Sequence, residues 1–210
     1  MSAALPCVEI AWSGSNDAYR ENPADTSLVQ PAFDILKRSD GIIKIYHGLQ
    51  TEDQKDAYIY IVWETLGHHE ALQKNPTEYP ALGEAVLKFW SAPPRMLHVQ
   101  PTSEPYAALG APATELALAT LKPGQSKERL EELVDTLTKG APPGEATGLV
   151  SAVWGPVVER SDMVALILGW TSVEAHWKLV TTDPGAIELL KQIREIADIE
   201  VTHSAQHEYK

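Results

Sequence analysis

The chain is poor in cysteine: Cys7 is the single one among 210 residues. One cysteine cannot form a disulfide within the chain, and it cannot supply a zinc site built from several thiolates. The amino-terminal residues lack a basic segment followed by a long apolar run, and no 18 apolar residues follow one another. These absences predict a cytoplasmic protein that neither enters nor binds a membrane.

Basic charge is also scarce, since 17 Lys and Arg stand against 29 Asp and Glu, a formal net charge of −12. Proteins that bind nucleic acid carry clustered Lys and Arg. Here no such cluster exists, and we therefore expect no nucleic-acid partner. The chain also lacks the Gly-x-Ser-x-Gly, His-Glu-x-x-His and phosphate-loop patterns, which removes three common classes of active site.

An internal repeat is the most informative feature that is present. Four pairs of identical residues are each separated by 107 positions: Gly41 and Gly148, Gly48 and Gly155, Trp63 and Trp170, His69 and His176. Between these pairs the apolar pattern matches without a gap. We therefore interpret residues 1–101 and 114–210 as two copies of one unit, joined by a linker over residues 102–113.

The apolar pattern within each copy predicts the order strand, helix, strand, strand, helix, strand, which is typical of ferredoxin-like units. The strands Ala57 to Trp63 and Val164 to Trp170 are apolar on both faces. Helices can cover one face only, so we expect the sheet of the other copy to cover the second. The predicted fold class is α+β, with two ferredoxin-like βαββαβ repeats forming an intrachain dimeric α+β barrel.

The run Gly169-Trp-Thr-Ser-Val-Glu-Ala-His-Trp177 resembles the strand-to-helix junction of the antibiotic-biosynthesis-monooxygenase (ABM) group of dimeric α+β barrel proteins. Copy one has a looser version, from Trp63 to Ala71. The resemblance implies this fold and the activities found in the superfamily, which include cofactor-independent monooxygenases, haem-degrading enzymes, polyketide cyclases and isomerases. The arrangement of two copies in one chain also resembles that of fungal chromoproteins from mushrooms. This resemblance implies a non-covalently bound organic chromophore.

Two departures from the group's pattern bear on cofactors. Many of its enzymes have a further His three residues after the Glu-Ala-His position, where this chain has Leu72 and Leu179. Haem-degrading members of the group share an Asn on the first strand. The corresponding strands of this chain, Val8 to Trp12 and Leu116 to Leu121, contain no Asn. We therefore expect no haem, and we predict no metal and no other cofactor.

His69 and His176 occupy equivalent positions near the start of a helix, and they are the candidate catalytic residues. A helix amino terminus favours a neutral imidazole, which can accept a proton. The alternative is a structural His that satisfies a backbone carbonyl. His203 and His207 are four positions apart, but they lie in a polar tail that we expect to fray rather than to hold a metal.

The two copies differ in ways that favour copy one as the specific site. His47, expected beside Ile43 and Ile45, corresponds to Trp154 in copy two. Two further tyrosines replace smaller or aliphatic residues, Tyr58 for Ala165 and Tyr60 for Ile167, and Tyr46 is adjacent. Copy two is then either a scaffold or the holder of a larger apolar cavity, because Ala165 and Gly169 are small.

The first functional hypothesis is a protein that binds a small planar aromatic or polyketide-like metabolite, for example a pigment, between sheet and helices. The second is a cofactor-independent monooxygenase or cyclase that uses a His base, and the third is a scaffold without a pocket. A homodimer of whole chains is compatible with each. The candidate ligand contacts are Trp12, Tyr46, His47, Tyr58, Tyr60, Trp63, His69, Trp154, Trp170 and His176.

Overall fold

The computed structural model describes residues 4–140 and 142–210. The chain divides into two compact units. Unit 1 comprises Met1–Gln100 and Ser204–Lys210, and unit 2 comprises Pro101–His203. The first residues of the last strand therefore belong to unit 2, and its last residues belong to unit 1. No helix in the described parts of the chain is long and apolar enough to cross a membrane.

Unit 1 is an antiparallel sheet with helices packed on one face. Its elements are β1 (Cys7–Gly14), α1 (Asp17–Glu21), α2 (Gln30–Arg38), β2 (Ile42–Gln50), β3 (Asp56–Trp63), α3 (Leu66–Gln73), α4 (Glu78–Val86) and β4 (Arg95–Val99). The strands pair in the order β4-β1-β3-β2, and the last residues of the final strand, β8 (Ala197–Glu208), pair with β2. Its helix-side core is rich in large side chains, among them Phe33, Ile61, Trp63 and Phe89.

Unit 2 repeats this plan. Its elements are α5 (Tyr106–Leu109), β5 (Ala113–Leu121), α6 (Lys127–Gly140), β6 (Leu149–Val157), β7 (Arg160–Trp170), α7 (Val173–Thr182), α8 (Pro184–Ile196) and the first part of β8. The strand order is β8-β5-β7-β6. The predicted α+β class with two ferredoxin-like repeats is confirmed, with eight antiparallel strands over residues 4–140 and 142–210.

The conserved spacing of one glycine pair has a steric cause. Gly41 and Gly148 both have a positive φ, +79° and +69°, and both precede a shift of strand register in β2 or β6. A Cβ atom at Gly148 would lie 2.5 Å from the Cβ of Ala175, and one at Gly41 would lie 2.2 Å from the His68 ring. Each repeat therefore needs glycine where the strand passes close to the next helix.

The register shift corrects the predicted surroundings of His47. The irregularity between Ile42 and Lys44 breaks the simple alternation of sides, and Ile43 is 40% exposed instead of packing beside His47. His47 is buried on the helix face with Ile45 and Leu49. A bulge inserts one residue, so every side chain before it changes face relative to those after it.

The prediction that the carboxyl-terminal histidines fray is wrong. His203 is fully buried in β8, and residues Ser204 to Glu208 continue the strand as partners of β2. His207 lies opposite His47 in that pairing. The backbone N–H and C=O groups of a polar strand pair as well as those of an apolar one, so a tail that borders an open strand edge becomes ordered.

Candidate functional site

In unit 2 an indole, a carboxylate and two imidazoles form a continuous buried cluster. The Nε1–H of Trp170 donates to Oε2 of Glu115 over 2.7 Å. The same carboxylate oxygen lies 3.5 Å from Nε2 of His176, and Nδ1 of His176 lies 2.8 Å from Nε2 of His203. His176 thus has a carboxylate beside one ring nitrogen and a second imidazole beside the other.

Unit 1 contains an equivalent cluster. The Nε1–H of Trp63 donates to Oε2 of Glu9 over 2.8 Å, and that oxygen lies 3.4 Å from Nδ1 of His69. The same Nδ1 is 2.6 Å from Nε2 of His98. Here a single nitrogen of the first histidine is the closest atom to both the carboxylate and the second imidazole.

Four strand and helix positions build each cluster. In unit 2, Glu115 is the third residue of β5, and Trp170 is the last residue of β7 and pairs with Ala113, two residues before the glutamate. His176 is the fourth residue of α7, which begins after Ser172 accepts a hydrogen bond from the N–H of Ala175. Because the helix starts directly after the strand, it places the imidazole against the indole, with ring centroids 5.0 Å apart.

Burial makes the charge of these clusters chemically important. Glu9 and Glu115 are each 5% exposed, and the four histidines are exposed by 4% or less. An ionised carboxylate away from water is costly unless a donor or a cation faces it. The indole N–H supplies one donor, and a proton on the neighbouring imidazole would supply the cation. Each cluster is therefore suited to accept one proton.

The sequence pattern indicates two members of each cluster but not the other two. Trp63 with Trp170 and His69 with His176 are 107 positions apart, the spacing of the ungapped repeat. Glu9 and Glu115 are 106 positions apart, and His98 and His203 are 105 apart. A comparison that allowed one- and two-residue gaps outside the aligned region would have found all four pairs.

Unit 2 also contains a cavity of about 170 Å³ between its sheet and its helices. Four of its lining residues are Glu115, Trp170, His176 and Trp177, and most of the others are aliphatic. A cavity of roughly 150 Å³ is large enough to bind benzene. Trp177 is 47% exposed while it lines the cavity, so the cavity comes close to the surface there.

The side chains of the two cores explain why this cavity lies in unit 2. In unit 1 the space between sheet and helices is filled by the rings of Tyr19, Phe33, Phe89 and Trp90. In unit 2 the lining consists mainly of smaller side chains, including Ala117, Ala119, Ala152, Leu166, Leu168 and Ala186. Aliphatic residues of this size fill less of the space between sheet and helices than the aromatic rings of the first repeat do.

The sequence leaves an apolar cavity in copy two as one alternative, based on the small size of Ala165 and Gly169. The cavity exists, but that reason for it is wrong. Ala165 and Gly169 do not line the cavity. They lie on the opposite face of β7, where a Cβ at Gly169 would be 2.7 Å from Ala111 and 2.8 Å from Ala108. The small residues that line the cavity from the sheet are Ala117, Ala119 and Ala152, on the helix-facing side of the strands.

The predicted contact residues fall into separate groups. In unit 1, Trp63 and His69 lie on the helix face together with His47. Four others lie on the opposite face of that sheet: Trp12, Tyr46, Tyr58 and Tyr60, with Trp12 stacked on Tyr58 at 6.0 Å. In unit 2, Trp170 and His176 line the cavity, whereas the indole of Trp154 donates to Asp135 over 3.2 Å. The unit 1 set therefore does not form one pocket.

His47 is a buried core histidine. Its Nδ1 lies 2.8 Å from the hydroxyl of Tyr19, and its Nε2 has no hydrogen-bond partner among the described residues. Burial, with a smaller contribution from His207, lowers the pKa of His47 to about 4. The imidazole is therefore neutral at pH 7. The same burial raises the pKa of the Tyr19 hydroxyl.

Comparisons with known proteins show the fold of this chain. No family model and no curated protein sequence matches it. Solved structures do match along almost the whole chain. One is a protein from Fusobacterium nucleatum described as a candidate monooxygenase, with 9% identity, a TM-score of 0.70 and coverage of 100% of this chain and 99% of that chain.

Two further structures are similar. A candidate monooxygenase from Lactobacillus acidophilus is 14% identical with a TM-score of 0.62, covering 96% of this chain and 93% of that one. An anthrone oxidase-like protein is 13% identical with a TM-score of 0.66, covering 97% and 92%. At these identities the likeness shows the α+β fold predicted from the sequence.

Proposed function

We propose that the chain is a monooxygenase that acts on a small aromatic carbon acid, of phenolic or polyketide-like type, bound in the cavity of unit 2. The observation that carries this proposal is the pairing of His176 and Glu115 on the wall of an otherwise mainly apolar cavity. An apolar cavity with a few polar groups is the usual form of a site for an aromatic ligand. A general base must also lie within reach of the bound molecule.

The reaction begins with proton transfer from a ring-activated methylene to the imidazole of His176. The resulting carbanion gives its electrons to dioxygen in single-electron steps and forms a C–O bond. The peroxide anion then takes the proton back from the imidazolium, and loss of water from the hydroperoxide leaves a carbonyl. One dioxygen is consumed, the methylene carbon is oxidised, and the second oxygen atom leaves as water.

The remaining members of the cluster assist His176. The Glu115 carboxylate, 3.5 Å from Nε2, stabilises the imidazolium that forms when the proton is taken up. His203, 2.8 Å from Nδ1, fixes the orientation of the ring and the position of its second proton. The indole of Trp170 holds the carboxylate in place through its 2.7 Å hydrogen bond.

The names of the similar structures support the same reaction class. Two are candidate monooxygenases, and the third is an anthrone oxidase-like protein. An anthrone has a methylene between two aromatic rings and opposite a carbonyl, which makes it a carbon acid of the kind the mechanism requires. The cavity volume of about 170 Å³ favours one ring of such a substrate inside, with the remainder towards Trp177.

Binding without chemistry is the second candidate. Both ring nitrogens of His176 already lie within 3.5 Å of another buried side chain, Glu115 or His203. An imidazole held in this way favours a carrier function over catalysis, because it would have to leave one of these partners to accept a proton from a substrate. A bound pigment would be one example of such a ligand.

Measuring dioxygen consumption with an anthrone as the probe, and with a simple phenol that lacks the activated methylene as the negative control, tests the proposal. We expect turnover in the unaltered chain and a loss of about 10²-fold or more in His176→Gln, because glutamine cannot accept the proton. His207→Gln, an exposed histidine outside the cavity, is the matched control and should retain full turnover.

The outcome of the same experiment separates the two candidates. Unchanged turnover in His176→Gln would show that this residue is not the base. Tight binding of a probe without dioxygen consumption or product, measured by calorimetry and mass spectrometry, would establish the carrier instead. Circular dichroism of each variant confirms that the fold is retained.

A further inference from the structure

We propose that Glu9, His69 and His98 of unit 1 form a binding site for one divalent transition-metal ion, with Zn²⁺ as the representative. None of these residues lines the cavity of unit 2, and the inference does not depend on the proposed oxygenase activity. The sequence predicted no metal site. That prediction rested on the single cysteine, on the lack of a His-Glu-x-x-His pattern and on the position of His203 and His207 in a polar tail.

The ligand atoms already lie near the spacing that a metal requires. One ligand atom from each of the three residues, a nitrogen from each imidazole and an oxygen from the carboxylate, lies within 4.8 Å of the other two. Zinc bonds of about 2.0–2.1 Å with tetrahedral angles place neighbouring ligand atoms roughly 3.3–3.4 Å apart. The 3.4 Å between His69 Nδ1 and Glu9 Oε2 matches this value. The 2.6 Å to His98 Nε2 requires that ring to move outward by about 0.7 Å to reach the same spacing.

The types of ligand narrow the class of metal. Two imidazoles and one carboxylate suit zinc and its first-row neighbours, whereas calcium and magnesium prefer sites built from oxygen atoms. Three protein ligands leave a fourth position for water, as in zinc sites of the His₂Glu type. The cluster therefore favours an ion of the zinc class over a hard cation.

Neighbouring side chains hold two of the ligands in position. The Trp63 indole donates to the Glu9 oxygen over 2.8 Å, and its ring stacks on the His69 imidazole with centroids 5.1 Å apart and an interplanar angle of 18°. Hydrogen bonds and packing of this kind orient the ligand side chains and raise their affinity for the metal. They also restrict the freedom that the ligands would lose on binding.

Charge compensation favours the ion. Glu9 is 5% exposed and both histidines are 3% exposed or less. A divalent ion balances the buried carboxylate while both imidazoles remain neutral, which is the form that binds metal. The low exposure also means that entry of the ion needs local opening of the unit, so we expect slow association.

The equivalent cluster in unit 2 is arranged differently. There the contacts of His176 use different ring nitrogens, Nε2 towards Glu115 and Nδ1 towards His203. In unit 1 the contacts of His69 with Glu9 and His98 both use Nδ1. The unit 2 residues also place one ligand atom each within 4.8 Å of one another. A metal takes one nitrogen from each imidazole, so the convergence of both contacts on Nδ1 favours unit 1 as the site.

Zinc binding to the full chain tests the proposal. The protein is treated with a chelator, dialysed and titrated with Zn²⁺ in a calorimeter, and its metal content is measured after a second dialysis. We expect the His98→Gln variant to bind one equivalent less than the unaltered chain. His207→Gln removes an exposed histidine and should leave the stoichiometry unchanged. Equal stoichiometry in His98→Gln and the unaltered chain, including no binding in either, would overturn the proposal.

A second variant covers the case in which His98→Gln does not fold. Glu9→Gln keeps an acceptor for the Trp63 indole but removes the anionic ligand. We expect Zn²⁺ to raise the melting temperature of the unaltered chain and of His207→Gln, and to raise that of Glu9→Gln by much less. The same shift in all three proteins would place the ion elsewhere. His176→Gln should bind zinc normally, which separates this result from the test of the oxygenase proposal.

Discussion

At the scale of single residues, the environment of a histidine decides its chemistry. His47, His69 and His176 look alike in the sequence as isolated polar residues in apolar surroundings. In the structure, His47 contacts the hydroxyl of Tyr19, whereas the other two face a buried carboxylate. Only the last two therefore have a neighbour that stabilises a positive charge.

The buried His47 predicts that stability falls in acid. Its pKa is lowered from 6.5 to about 4, so between these values the unfolded chain takes up a proton that the folded chain does not. The unfolding free energy should therefore decrease as the pH falls from 6.5 to 4, by about 3 kcal/mol from this group, and its contribution should level off below pH 4.

Urea unfolding at a series of pH values measures this effect. The slope between pH 4 and 6.5 should be smaller in His47→Phe, which cannot take up a proton, although Tyr19 then loses a partner. In His207→Gln the slope should shrink slightly, because the Coulomb repulsion that lowers the His47 pKa is removed. An identical slope in His47→Phe would rule out His47 as its source.

At the scale of elements, the strand-to-helix junction is the feature that both repeats keep. Trp170 ends β7, Ser172 caps α7, and His176 follows one turn later. Gly148, at the start of β6, lets that strand pass under the first turn of the helix. The spacing of these residues could be found in the sequence because all of them act through local geometry.

The close approach of Gly148 to α7 predicts a large loss of stability when a side chain is introduced at this position. Gly148→Ala places a methyl group 2.5 Å from the Cβ of Ala175 at a φ of +69°, and we expect a loss of about 2–4 kcal/mol from strain and overpacking together. Gly124→Ala has a similar φ, +80°, but no atom within 4 Å, so it should lose only about 1–2 kcal/mol.

A third alanine substitution completes the series. Gly83 lies within α4 and has nothing within 4 Å, so Gly83→Ala should stabilise the chain by roughly 0.5–1 kcal/mol. The midpoints of urea unfolding rank the stabilities of the three variants. Equal destabilisation at Gly148 and Gly124 would mean that contact with Ala175 contributes nothing.

At the scale of the whole molecule, duplication has produced two units with the same cluster and different cores. Aromatic rings fill the helix side of unit 1, and alanines leave space in unit 2. The sequence favoured copy one as the specific site because of its tyrosines. Three of those, Tyr46, Tyr58 and Tyr60, lie on the face of the sheet away from the helices. The predicted homodimer, cytoplasmic location and pigment ligand stay predictions.

Filling the cavity predicts a loss of binding without a loss of stability. Ala117→Leu adds three carbon atoms on the cavity wall, and we expect the affinity for an aromatic probe to fall tenfold or more. The melting temperature should stay the same or rise, because occupied space is better packed. Ala107→Leu, at an exposed position on α5, is the control. Unchanged affinity in Ala117→Leu would place the ligand outside this cavity.

The sequence by itself determined the repeat, the α+β class and the position of the Trp and His pairs, because apolar periodicity and local turn chemistry act over short stretches of chain. Tertiary structure alone decided that Glu9 meets His98 and that Glu115 meets His203, since these contacts join strands that are far apart in sequence. It also decided that unit 2 has a cavity between its sheet and its helices. That outcome depends on the sum of side-chain volumes across several elements, which no single stretch of sequence contains.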